Sequence, residues 1–236
     1  METDKIYDGD CMELLKSLPD KSIDLVVTDP PYGIEYQSNV GRQGLKLPKI
    51  EKDDNPDWSW WIKEAFRVLK NNSHAYFFTR FDVYPTHFKN LSDVGFSVKQ
   101  VLCIQKGSGG THGDLNGSFS SNSEWVIFCH KGRREFEKTN LVKTDGRVGS
   151  PEYRTRLPTC WFGKEYPQST VNVSNQPLGF VHPTEKNVKL IRGFIWLSSK
   201  PNDIVLDPFM GSGTTALACQ QLNRRWVGSE INPEYI

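Results

Sequence analysis

The stretch from Asp203 to Glu230 constrains the fold more than any other part of the chain. A short apolar run, Asp203 to Leu206 (DIVL), leads into Asp207-Pro208-Phe209-Met210-Gly211-Ser212-Gly213-Thr214-Thr215. A helical segment, Ser212 to Leu222, and a second apolar run, Arg225 to Ser229, follow and end at Glu230. The order strand, glycine turn, helix, strand belongs to sheets whose strands run mainly parallel. The two glycines allow a tight turn and close backbone approach, and the helix start presents free N–H groups and a positive dipole end. Glu230 lies 23 residues after Asp207, the spacing at which a carboxylate meets ribose hydroxyls in a Rossmann-like crevice. A phosphate-cradling P-loop would need a longer glycine span and Gly-Lys-Ser/Thr, and no lysine follows Gly213. A dinucleotide site prefers G-x-G-x-x-G; position 216 is Ala, which the looser form allows. On its own, a G-x-G pair is shared with many plain strand-to-helix turns.

The same rhythm runs through the first half. Ile23 to Thr28 (IDLVVT) has the composition of a buried parallel strand and stops at Asp29-Pro30-Pro31-Tyr32, where two prolines forbid further pairing. Trp58 to Leu69 carries apolar residues at helical spacing, with Asp57 placed to cap it. A strand at His74 to Thr79, a helix from about Asp82 to Val94, and strands at Phe96 to Gln105 and Glu124 to Cys129 follow. Two stretches break the pattern: a glycine- and serine-rich loop at Lys106 to Asn122, and a segment from about Lys131 to Phe180 rich in Arg, Lys, Pro and Thr. A helix from about Thr184 to Ser198 then restores it. The expected class is α/β, a Rossmann-like, doubly wound, mainly parallel sheet.

Composition excludes several alternatives. The apolar runs are far shorter than the roughly 20 residues that span a bilayer, so no membrane partner is expected. The five cysteines are scattered, without C-x-x-C, which argues against a disulfide framework or a zinc site. The acidic start, METDKIYDGD, has no signal-like apolar stretch, and a cytoplasmic location is expected. A balance of 29 basic against 28 acidic side chains would discourage a nucleic-acid partner, but it is a cancellation. Residues 1–60 hold thirteen acids and seven bases, and residues 131–180 five acids and nine bases.

Asp29-Pro30-Pro31-Tyr32, taken with DPFMGSGTT at Asp207 to Thr215 and HPTEKN at His182 to Asn187, resembles the S-adenosyl-L-methionine-dependent amino-methyltransferases of DNA bases. The order of the motifs resembles their circularly permuted β group. The likeness extends from Asp8-Gly9-Asp10 to Asn232-Pro233-Glu234-Tyr235. It implies a catalytic domain in two parts, residues 1–130 and 181–236, around a target-recognition insertion at 131–180. It further implies that Asp10 contacts the cofactor's adenine amine, that Asp207, Phe209, Gly211 and Gly213 form its pocket, and that Glu230 binds its ribose. Thr184 and Lys186 would approach its methionine end. Arg133, Arg134, Lys138, Arg154 and Arg156 of the insertion would neutralise phosphates. The chain departs from the family pattern at Asn187, where Pro is usual, and at Ile236, where relatives usually continue into another helix.

The motif residues suit the chemistry. An exocyclic amine is a poor nucleophile because its lone pair is delocalised into the ring. Acceptors aimed at both amine hydrogens favour a tetrahedral nitrogen, and Asp29 with the Pro30 carbonyl would supply them while Pro31 restricts the turn. Tyr32 would stack on a base flipped out of its duplex. Aspartate at the first position favours adenine N6, whereas cytosine-N4 enzymes of this group more often carry Ser. An RNA base is an alternative substrate; amide-modifying relatives typically carry Asn there. A non-catalytic cofactor-binding module would be expected to lose the acceptor at 29. A homodimer and a cognate restriction endonuclease are possible partners.

Overall fold

A computed structural model describes residues 1–33, 55–105, 123–137, 160–162 and 186–236. Its elements are β1 (Lys5–Asp8), α1 (Cys11–Ser17), β2 (Ile23–Thr28), α2 (Ser59–Val68), β3 (Leu69–Thr79), α3 (Tyr84–Asp93), β4 (Ser97–Gln105), β5 (Ser123–Lys131), β6 (Cys160–Phe162), α4 (Val188–Ser198), β7 (Ile204–Asp207), α5 (Thr214–Gln221) and β8 (Arg225–Glu230). The eight strands form one sheet in the order β1-β8-β7-β2-β3-β5-β4-β6. β1, β8, β7, β2 and β3 run parallel, β5 is antiparallel to both β3 and β4, and β6 is parallel to β4.

Strand alternation divides the core into two layers, because successive side chains point to opposite faces. Leu25 and Val27 of β2, with Tyr76 and Phe78 of β3, face Leu190, Ile191 and Phe194 of α4 and Ala218 of α5. Val26, Ala75 and Phe77 face the other way, against Leu14 and Leu15 of α1 and Trp61, Ile62 and Ala65 of α2. Both faces of the central strands are therefore covered, which is why those strands read as continuous apolar runs.

The connections define a crevice. From β7 the chain turns through α5 to β8 on one flank, and from β2 it runs to α2 and β3 on the other. Neighbouring parallel strands whose connections diverge in this way leave a gap outside their carboxyl ends, the place where open α/β sheets bind ligands. Here that position falls at the adjacent ends of β7 and β2, at Asp207 and next to Asp29.

The structure corrects several expected boundaries. β1 and α1 were not anticipated; their strand has only four residues with exposed ends. β6 crosses a segment read as patternless and pairs on an outer edge. β3 starts at Leu69, directly after α2, instead of His74. Asp57 sits one position before the N-cap of α2, and its carboxylate accepts from Ser59 N at 2.9 Å and from Asn90 Nδ2 at 2.8 Å. Asn187, the departure from the family pattern, is the N-cap of α4: its side-chain oxygen accepts from Lys189 N at 2.9 Å. Asn187→Ala is expected to cost about 1 kcal/mol of stability, read from urea unfolding. No helix among the described residues is long and apolar enough to cross a membrane.

Candidate functional site

Hydrogen bonds fasten the two strand ends bordering the crevice. Asp207 accepts from Thr28 Oγ1 at 2.7 Å, from Thr215 Oγ1 at 2.6 Å and from Phe209 N at 3.2 Å. Burial pushes its carboxyl up to about 7, against the lowering effect of these donors and with a further rise from Asp29. Asp207, expected as a cofactor residue, is thus turned into the protein and joins the β7 turn to β2 and α5.

Beyond Asp207 the backbone enters the left-handed region at Gly211 (φ 53°) and Gly213 (φ 79°). Among the described residues, nothing lies within 4 Å of the space a Cβ at Gly213 would occupy. Glu230, at the end of β8, accepts from Gly211 N at 2.7 Å through Oε2 and from Asn232 N at 2.9 Å through Oε1. Each oxygen keeps a second lone pair for another donor. The Glu230 carbonyl accepts from Gly9 N at 2.9 Å. Asp10, next along, caps α1 by accepting from Met12 N at 2.7 Å. Phe209 packs edge-on against Trp61, ring centroids 5.0 Å apart. Asp10, Phe209, Gly211, Gly213 and Glu230 therefore gather at the carboxyl ends of β1, β7 and β8.

Across the crevice, Asp29 follows β2. The Tyr32 hydroxyl donates to its Oδ1. Burial, then the Asp29 charge, raises the Tyr32 phenol well above its ordinary range, so it remains a donor. The Lys186 ammonium lies 2.6 Å from Asp29 Oδ2 and 3.2 Å from Glu124 Oε1, and 5.0 Å from the Phe78 ring centroid. Burial favours the neutral amine, but Asp29 and Glu124 outweigh it and raise Lys186 above the ordinary lysine value.

The motif is buttressed from behind. Pro30 is buried. Trp58 Nε1 donates to the Pro31 carbonyl at 3.2 Å, and the Trp58 ring stacks on His87 at 3.5 Å. His87 Nδ1 meets Thr79 Oγ1 at 2.8 Å. Gly33 has a φ of 72°, and a Cβ there would fall 2.0 Å from Pro56 N, so only glycine fits behind Tyr32.

Two of the expected site residues make internal contacts that the sequence did not signal. Lys186, read as a partner of the methionine end, grips Asp29 and Glu124. Arg134, read as a phosphate contact, has its Nη2 3.1 Å from Glu137 and 3.9 Å from Asp203, with the side chain only 18% exposed. It closes an internal contact, while Arg133 is exposed. Thr184, Lys138, Arg154 and Arg156 lie outside the described residues. Sequence reasoning passed over Thr28, Gly33, Trp58 and Glu124. Trp58 belonged to a helical apolar stripe and Glu124 to a strand start, and neither pattern signals a polar contact with a distant turn.

The family model described as DNA methylase matches residues 23–236. Type II methyltransferase M.HpaI of Haemophilus parainfluenzae is 31% identical over 233 residues, covering 97% of this chain and 70% of that protein. DNA adenine methyltransferase YhdJ of Escherichia coli (strain K12) is 29% identical over 249 residues, covering 100% and 81%. Among solved structures, PvuII DNA methyltransferase (cytosine-N4-specific) superposes with a TM-score of 0.71 at 20% identity, covering 100% of this chain and 84% of that one. The M1.HpyAVI–SAM complex gives 0.65 at 24% identity, covering 98% and 95%. At such identities the solved structures establish the shared fold.

Proposed function

The chain belongs to the N6/N4 DNA methylase family, and from that premise we propose that it transfers the methyl group of S-adenosyl-L-methionine to N6 of adenine in DNA. The observation that carries the reading is the joining of two motifs at one crevice: Thr28, beside Asp29, is hydrogen-bonded at 2.7 Å to Asp207, which opens the glycine turn.

The residues present fit the cofactor. The open space at Gly213, the backbone of the turn, the Glu230 carboxylate at the end of β8 and the ring of Phe209 supply a cradle, a hydroxyl acceptor and an apolar wall. Asp10 follows β1, whose last residue, Asp8, pairs with Glu230, and would take the adenine amine. When bound, S-adenosyl-L-methionine supplies a methyl group activated by a positive sulfonium.

Asp29 would act on the other partner. Tyr32 and Lys186 fix its carboxylate, and its remaining lone pairs accept from the exocyclic amine. The N–C bond would form as the methyl–sulfur bond breaks and S-adenosyl-L-homocysteine leaves as the neutral thioether; the carboxylate would stabilise the positive charge gained by the amine nitrogen, and the surplus proton would pass to Asp29. The base reaches this site flipped out of the duplex. Residues 131–180 would form the target-recognition insertion, with the exposed Arg133 at its start, and Lys138, Arg154 and Arg156 would contribute phosphate contacts.

Aspartate at position 29 and the likeness to a DNA adenine methyltransferase over the whole chain support adenine. The second reading, cytosine N4, draws on the fold shared with a cytosine-N4-specific enzyme. Nucleoside mass spectrometry of DNA treated with the protein separates them: N6-methyldeoxyadenosine is expected, and N4-methyldeoxycytidine in its place overturns the adenine assignment.

A further inference from the structure

Glu124 plays no part in the mechanism above, yet it completes a charged triad at its centre. Lys186 Nζ lies between two carboxylates, 2.6 Å from Asp29 and 3.2 Å from Glu124. All three side chains are largely withdrawn from solvent, with 12% of Lys186 and 20% each of Asp29 and Glu124 exposed. They come from separate elements: Asp29 from the end of β2, Glu124 from β5, and Lys186 from the residue before the Asn187 cap of α4. That cap and the Phe78 ring beneath the ammonium hold Lys186 in place.

We infer that Glu124 is a positioning residue for methyl transfer, sharing the Lys186 ammonium so that Asp29 keeps its strength as an acceptor for the target amine. The inference rests on the function proposed above. With Lys186 alone, Asp29 would sit in a neutral ion pair, and its electron density would be drawn toward the ammonium. With Glu124 present the ammonium is shared between two carboxylates, and less of the Asp29 electron density is drawn to it. Positive charge moves from the sulfonium to the amine nitrogen during the reaction, and in a partly buried site an Asp29 carboxylate that keeps its electron density favours that displacement. Glu124 would thus act on the chemical step while touching neither base nor cofactor.

Glu124→Gln keeps the shape and an oxygen for Lys186 while removing the charge. We expect kcat to fall by about 10-fold, less than the 10²–10³ lost when a group that directly stabilises the transition state is removed. The KM values for DNA and S-adenosyl-L-methionine should stay within about twofold, because the lost interaction acts in the transition state alone. Glu124→Asp, which restores the charge, should recover most of kcat. In a Lys186→Met background, E124Q should cost little more, because the ammonium it acts through is gone. Unchanged kcat in E124Q, a loss in E124D as large as in E124Q, or losses in E124Q and K186M that multiply would each overturn the inference. Failure of the unsubstituted protein to methylate DNA in the same assay would instead contradict the proposed function.

Discussion

Asp29→Ala is expected to lower methyl transfer by roughly 10²–10³-fold while S-adenosyl-L-methionine binds with unchanged affinity. The separation follows from the geometry. Asp29 belongs to the β2 side of the crevice, whereas Gly211, Gly213, Glu230, Phe209 and Asp10 belong to the carboxyl ends of β7, β8 and β1. The wall between the two halves is built on Thr28 and Asp207, which the substitution leaves intact. Lys186 keeps Glu124 as a partner, so the variant does not strand a buried cation. Single-turnover kinetics read the first effect and calorimetric titration of the cofactor reads the second. Full turnover in the variant would remove Asp29 from the mechanism.

The second large effect is structural. Trp58→Ala is expected to destabilise the protein by about 3–5 kcal/mol, the range for removing a buried aromatic side chain. Trp58 is 1% exposed and packs between His87, Trp61 and Phe77. Its indole N–H also holds the Pro31 carbonyl, so the cavity would open directly behind the proposed catalytic motif. Trp58→Phe separates the two roles: it keeps most of the packing but removes the donor, and should cost about 1 kcal/mol with a disproportionate loss of kcat as the motif loosens. Urea unfolding measures the first quantity and steady-state kinetics the second; a Trp58→Ala cost below about 1 kcal/mol would contradict the buttressing role.

The parts of the fold legible in the sequence are those whose periodicity is set by burial. β2, β3, β5, β7 and β8 lie in the covered middle or flank of the sheet and show as apolar runs; α2 shows as an apolar stripe. β1 and β6 are too short for a period, and β6 is defined by pairing with β4 at an edge. At the candidate site, Asp29 through Tyr32 and the turn from Asp207 to Gly213 stand out in the sequence because each places its proposed functional groups within a few consecutive residues. Their supports were not, because they depend on contacts across the chain. Trp58 reaches Pro31 over 27 positions, and Lys186 reaches Glu124 over 62. The same distance explains why the internal contacts of Lys186 and Arg134 were not foreseen. The motif around Lys186 says nothing of Glu124, and a basic run says nothing of the internal acids, Glu137 and Asp203, that claim Arg134.

The most direct test of the central claim is a methyl-transfer reaction with duplex DNA and S-adenosyl-L-methionine carrying a deuterated methyl group, followed by digestion to nucleosides and mass analysis. The account predicts the labelled methyl on N6 of deoxyadenosine with the unsubstituted protein and its near absence with Asp29→Ala. Label that fails to enter DNA, or that enters equally with the variant, would contradict it.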